Sequence, residues 1–180
     1  MSTLTLVPPK IEYENEIRDF VNEFIEHDSK INGGGGLLKH ITDNLYEEWV
    51  KINEQGTNYC ISGSDKLPAS TYFAIRIPDN KIIGTINIRH TLNDLMLEKG
   101  GHIGYSVRPL ERRKRYATEI LRLGLEKLRE MGVDRALITC SKDNPASAGT
   151  IKNNLGTLEN EIYHEESKDI IQRYWIQISL

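Results

Sequence analysis

Between residues 101 and 131 the hydrophobic positions change period. Ile103, Tyr105 and Val107 alternate with Gly104 and Ser106, a period of two that predicts a strand with one strongly apolar face, and Pro109 ends it. From Ala117 the spacing becomes helical: Ala117, Leu121, Gly124, Leu128 and Met131 share one face, widened by Ile120 and Leu125. Gly132 stops that helix, and Arg135–Ser141 is apolar at nearly every position, the pattern of a strand buried on both faces. Strand, helix and strand in this order imply a parallel pair with a right-handed crossover.

The same reading extends over the rest of the chain. Leu4–Val7 predicts an opening strand stopped by Pro8 and Pro9, and Ile17, Phe20, Val21, Phe24 and Ile25 make a helical stripe. A second helix is predicted over 42–55 with Leu45, Trp49 and Ile52 inward. Residues 72–77 and 81–89 flank Pro78, Asp79 and Asn80 as a hairpin. A short helix over 144–153, beginning after Pro145, and a closing hairpin of 158–164 with 170–180 complete the chain. The expected fold is α/β (α+β): a mainly antiparallel sheet of about six to seven strands, a central parallel pair and about four helices.

Length narrows this to one domain over 1–180, and 38% hydrophobic with 27% charged residues are globular values. Without a basic leader followed by an apolar run, or any apolar run approaching a membrane span, the expected location is the cytoplasm. Cys60 and Cys140 have no redox or zinc spacing and are expected as free thiols, and the five histidines show no metal-ligand spacing. The run of glycines at 33–36 is expected to be the most flexible point of the chain, either a plain loop or one that closes over a small acceptor.

The turn between the strand and the long helix carries the chemistry. Arg112, Arg113, Lys114 and Arg115 stand where the free N–H groups of a helix start must point, a combination suited to phosphate oxygens. The same run also reads as a solvated surface or as a nucleic-acid patch. A net charge of -3, with no second basic stripe, speaks against nucleic acid and for a compact phosphate ligand.

The segment YSVRP followed by RRKRYA, the strand ITCSKDN and the run NPASAGTIKNNLG resemble the GNAT superfamily of acyl-CoA-dependent N-acetyltransferases, and in particular small bacterial acetyltransferases with a GGHIGYxVRP segment. The resemblance implies acetyl-CoA as cosubstrate. Its pyrophosphate would lie on the turn of Arg112, Arg113, Lys114, Arg115, Tyr116, Ala117 and Thr118, and its pantetheine arm along the strand ending at Val107, with Asn144 and Ser147 nearby. It also implies direct transfer to an amine without a covalent intermediate, the Val107 amide facing the thioester carbonyl.

Two positions depart from that family. Arg115 stands where the turn has glycine, and Ile151 stands where many members have a tyrosine, seven residues after the asparagine matched by Asn144. Ser147 is then the nearest in type to protonate the thiolate, unless it only caps its helix, and Tyr116, Tyr163 and Tyr174 stand as other possible acids. His102 occupies the strand position where relatives often carry glutamate, and is a candidate base or a histidine satisfied by backbone. Three functions follow as alternatives: an N-acetyltransferase of a small amine or peptide, a GNAT-fold module with weakened coenzyme A binding, and a nucleic-acid binder. Homodimerisation is an open expectation.

Overall fold

The structure is a computed structural model and describes residues 3–54, 58–62 and 65–178. The expected element ends at Gln55 and Leu180, and the side chain of Cys60, lie outside these. Strands are β1 (Leu4–Val7), β2 (Asn58–Ser62), β3 (Asp65–Arg76), β4 (Lys81–Arg89), β5 (Ile103–Val107), β6 (Arg135–Ser141), β7 (Thr157–His164) and β8 (Asp169–Gln177). Helices are α1 (Glu14–Glu26), α2 (Leu37–Thr42), α3 (Tyr46–Glu54), α4 (Tyr116–Glu130) and α5 (Pro145–Asn153).

β4 lies between β3 and β5 in a five-stranded sheet, where β1 pairs with the second half of β3 and β2 with its first half. β8 lies between β6 and β7 in a second sheet. Helices cover both faces of the larger sheet. Phe73, Ile75 and Ile82 meet Ile17, Phe20, Val21 and Phe24 of α1 and Tyr46, Trp49 and Val50 of α3. Ile83, Ile86 and Ile88 meet Ile120, Leu121, Leu125 and Leu128 of α4 in a core that continues to Ile138 and Ile151. β4 is buried at seven consecutive positions because it is covered on both sides, and four of those seven are isoleucine.

Several expectations need correction. Among the described residues eight strands and five α-helices stand where six to seven strands and about four helices were expected: β2 was not foreseen, and Asn44 at φ 57° separates α2 from α3. That break turns α3, so Tyr46, Trp49 and Val50 face the core while Leu45 and Ile52 are exposed. Ile25 and Met131, placed inside by periodicity, are also exposed at the ends of their helices. Every strand ladder among the described residues is antiparallel. β5 and β6, expected as a central parallel pair, share no ladder and touch at one end only, and that separation makes the site.

Candidate active site between two parted strands

In an antiparallel ladder the backbone groups of alternate residues point to the partner and those between point away. The Arg89 N–H donates to the His102 carbonyl at 2.8 Å and the Arg108 N–H to the Ile83 carbonyl at 2.8 Å. This parity gives the backbone groups of Gly104 and Ser106 to β4 and turns those of Ile103, Tyr105 and Val107 outward. On β6 the Lys142 N–H donates to Ile170 and the Ile178 N–H to Asp134, both at 2.8 Å, which turns Leu137, Thr139 and Ser141 away from β8. Two strand edges therefore face each other.

They are joined at one end by His102. Its N–H donates to the Leu137 carbonyl at 2.7 Å, and its Nδ1 accepts the Leu137 N–H at 3.0 Å. An imidazole accepting through Nδ1 is the neutral form with its proton on Nε2, so neither nitrogen is free to take another proton. Burial holds the ring's pKa below its ordinary value, and the Leu137 N–H given to Nδ1 favours the same neutral form. Past this junction the strands part and leave a cleft of about 1130 Å³, lined by Ile103 to Val107 on one side and Thr139 to Ser141 on the other. Unpaired N–H and C=O groups on facing edges suit an amide-rich, extended ligand.

At the open end the chain turns through Pro109–Glu111 and enters α4. Arg113 and Arg115 have φ of 63° and 65°, in the left-handed region, and Arg115 precedes the first helical residue without giving a side-chain cap. The amides of Tyr116, Ala117 and Thr118 belong to the first helical turn and lack intrahelical acceptors. The four cations differ in employment. Arg112 donates to the Val107 carbonyl at 3.2 Å and to Ser29 Oγ at 2.6 Å, and lies over the Phe24 ring. Lys114 joins Arg76 and Lys81 on Glu111. Burial alone would push that carboxyl up, but the bonds from Lys114, Lys81 and Arg76 hold it at about 2. Arg113 and Arg115 have no carboxylate partner among the described residues.

The floor and one wall come from distant segments. Tyr105 reaches from β5 to α5, its hydroxyl 3.1 Å from Ser147 Oγ, and the Asn144 side chain accepts the Ser147 N–H at 3.1 Å as the helix cap. Burial pushes the Tyr105 phenol up, against opposing bonds from Ser147 and Thr150, and burial also raises the Cys140 thiol beside them. On the opposite face the Asn32 N–H donates to Ser106 Oγ at 2.6 Å while that hydroxyl donates to the Asn32 carbonyl at 2.7 Å. Gly33, at φ 68°, then lies so close to β5 that an added Cβ would sit 2.0 Å from the Gly104 oxygen. The glycine run is a wall packed on the strand, and Trp49 Nε1 secures it at the Gly35 carbonyl.

Of the residues singled out from sequence, Val107, Arg112, Arg113, Arg115, Tyr116, Ala117, Thr118, Asn144 and Ser147 line one cleft. Lys114 and His102 do not line it, being drawn to Glu111 and Leu137. Tyr105, Cys140 and Asn32 line it without having been foreseen as site residues. Tyr105 read as a core position because it alternates with glycine and serine, and nothing local says that it meets α5.

The profile of the acetyltransferase (GNAT) domain matches residues 4–154. The chain belongs to the GNAT acetyltransferase family. Among curated proteins none matches its sequence significantly. Similar solved structures include the microcin C7 self-immunity acetyltransferase MccE in complex with acetyl-CoA and AMP, at 19% identity and a TM-score of 0.68 over 98% of this chain and 93% of that one. Another is the Salmonella typhimurium acetyltransferase that modifies the N-terminal serine of ribosomal protein L7/L12, at 18% identity and 0.67 over 99% and 97%. A chimera of the Vibrio cholerae spermidine N-acetyltransferase SpeG with hSSAT gives 12% and 0.66 over 98% and 96%. These likenesses are in fold. Among the described residues no helix is long and apolar enough to cross a membrane, and no group of residues is arranged to hold a metal ion.

Proposed function

We propose that this GNAT-family protein transfers the acetyl group of acetyl-CoA to a primary amine of a small molecule or peptide. The observation that carries the reading is the gap itself: two facing strand edges that open from the His102–Leu137 junction onto the amides at the start of α4 and two arginines with no carboxylate partner among the described residues. The pantetheine arm fits the edge groups of Ile103, Tyr105 and Val107, and the pyrophosphate fits the amides of 113–118 with Arg113 and Arg115. The outward Val107 N–H is the donor for the oxygen that gains charge as the amine attacks. Ser147 is the hydroxyl assigned to the departing sulfur. His102 is assigned as the brace of the closed end rather than as the base, since its free lone pair is spent on Leu137.

A module with weakened coenzyme A binding is the competing reading, favoured by Arg115 in a left-handed conformation and by Ile151, which is fully buried and offers no hydroxyl. The two separate by ligand-induced stabilisation. Acetyl-CoA is expected to raise the melting temperature more than adenosine diphosphate, because both strand edges and the turn contribute, and stabilisation grows with the ratio of ligand to Kd. Thiol release from acetyl-CoA, followed over a panel holding spermidine and short peptides that begin with serine or alanine, then tests transfer. An equal response to both ligands, with no thiol release, would favour the binding module. The cytoplasm is the compartment this reading expects.

A further inference from the structure

Ile151 removes the hydroxyl that the family resemblance places on α5, yet a different phenol stands in the floor of the cleft. We propose that Tyr105 is the proton source for the departing coenzyme A thiolate and acts through Ser147, which touches the sulfur. The inference rests on the acetyltransfer reading. Its ground is a pair of hydroxyls in one cleft: the Tyr105 hydroxyl lies 3.1 Å from Ser147 Oγ, and both residues line the gap in which the coenzyme A sulfur would be released. Thr150 gives its hydroxyl proton to the Ala146 carbonyl at 2.9 Å and so takes no part in the relay.

Chemistry favours the pair over the serine alone. An aliphatic hydroxyl is too weak an acid to protonate a thiolate and remain an alkoxide, whereas a phenol is the hydroxyl closest in acidity to a thiol. The same burial that raises Tyr105 raises the neighbouring Cys140 thiol, and a thiolate released there meets a phenol shifted in the same direction. In the step, the amine nitrogen has bonded to the acetyl carbon and the C–S bond breaks with its electron pair going to sulfur. The sulfur takes the Ser147 hydroxyl proton while Ser147 Oγ takes that of Tyr105. The phenolate accepts a hydrogen bond from the re-protonated serine until solvent returns the proton lost by the amine. Tyr105 is thus a positioning and relay residue, and Ser147 is the group at the reacting atoms.

The test uses the full chain, acetyl-CoA and whichever of spermidine or the serine or alanine peptides the wild type acetylates. Tyr105→Phe is expected to lower kcat about 100-fold with the acetyl-CoA KM within about twofold, and Tyr105→Phe/Ser147→Ala is expected to be no slower than Ser147→Ala, since one relay is broken either way. Difluorotyrosine at position 105 keeps the packing and acidifies the phenol, and should move the alkaline limb of the kcat profile to lower pH even if Tyr105→Phe fails to fold. An unchanged kcat in Tyr105→Phe, losses that multiply in the double variant, or an unmoved alkaline limb would overturn the relay and leave acetyltransfer standing. A wild type that binds acetyl-CoA yet acetylates nothing in the panel would instead overturn the acetyltransfer reading, and this inference with it.

Discussion

At the closed end of the β5–β6 gap, one residue satisfies both backbone groups of Leu137, and Gly101 at φ 62° brings the chain in so tightly that a Cβ there would stand 2.5 Å from the Leu137 oxygen. At the open end the backbone is also strained, with Arg113 and Arg115 both left-handed, but among the described residues the amides of Tyr116, Ala117 and Thr118 and the two arginine side chains have no protein partner. Strain at the first end secures the fold. Strain at the second leaves donors facing the cleft. The difference teaches that positive φ is no signature of function by itself; what matters is whether the groups it exposes are satisfied within the chain.

The largest effect is expected from Gly101→Ala. Its Cβ meets backbone, which cannot swing aside, so unfolding free energy should fall by about 2–4 kcal/mol in a denaturant titration. A loss well under 1 kcal/mol would mean that the two sheets can part without cost and that the junction is not a fixed point.

Next comes His102→Ala, which leaves the buried Leu137 N–H without an acceptor at a cost of about 1–3 kcal/mol. The pH dependence sharpens it. The folded pKa of His102 lies below the unfolded one, so between the two the unfolded chain binds more protons. The contribution is complete above the unfolded value of about 6.5 and is lost as pH falls through the folded value. His90 is also shifted down by burial, so the variant should lose part of the acid sensitivity and keep the rest. Parallel stability curves for variant and parent between pH 7 and pH 5 would remove His102 from the junction.

At the open end Arg113→Asn removes a charge while keeping a residue that tolerates the left-handed region. Acetyl-CoA affinity should weaken by about threefold to tenfold, with stability almost unchanged and the loss shrinking in high salt. Calorimetric titration at two ionic strengths checks this, and an undiminished loss at high salt would argue for a direct steric role.

The smallest effect is expected from Arg115→Gly. Relief of the left-handed conformation gains about 1–2 kcal/mol, and the added freedom of glycine in the unfolded chain returns about 0.5–1 kcal/mol. A net gain of about 0 to 1.5 kcal/mol should appear in thermal unfolding. Because the turn already holds these torsions, the gain should fall on stability more than on affinity. Much tighter acetyl-CoA binding by this variant would show that the arginine side chain obstructs the phosphates.

The legible part of this protein was local. The alternation through Val107, the stripe from Ala117 to Leu128 and the apolar run of β6 give their elements with boundaries close to those observed, because a two-residue or 3.6-residue period is set by the backbone and filled by neighbours in sequence. The basic turn was legible for the same reason, being one continuous segment between two periods. Contacts across long separations were not. Asn32 with Ser106, Tyr105 with Ser147 and His102 with Leu137 leave no trace in the spacing of either partner.

The sequence by itself determined the strand, the turn and the helix that border the cleft, and the residue types gathered at their junction. Only the tertiary structure decided which of those residues are free to act. Lys114 is drawn onto a buried carboxylate because Arg76 and Lys81 arrive there from β3 and β4, and His102 becomes a brace because β6 presents Leu137 at its ring. The glycine run became a wall because Gly104 left room for it. The physical reason is common to all three: a polar or flexible group is committed by whatever donor, acceptor or surface the fold brings against it, and that partner is set by packing of segments far apart in the chain.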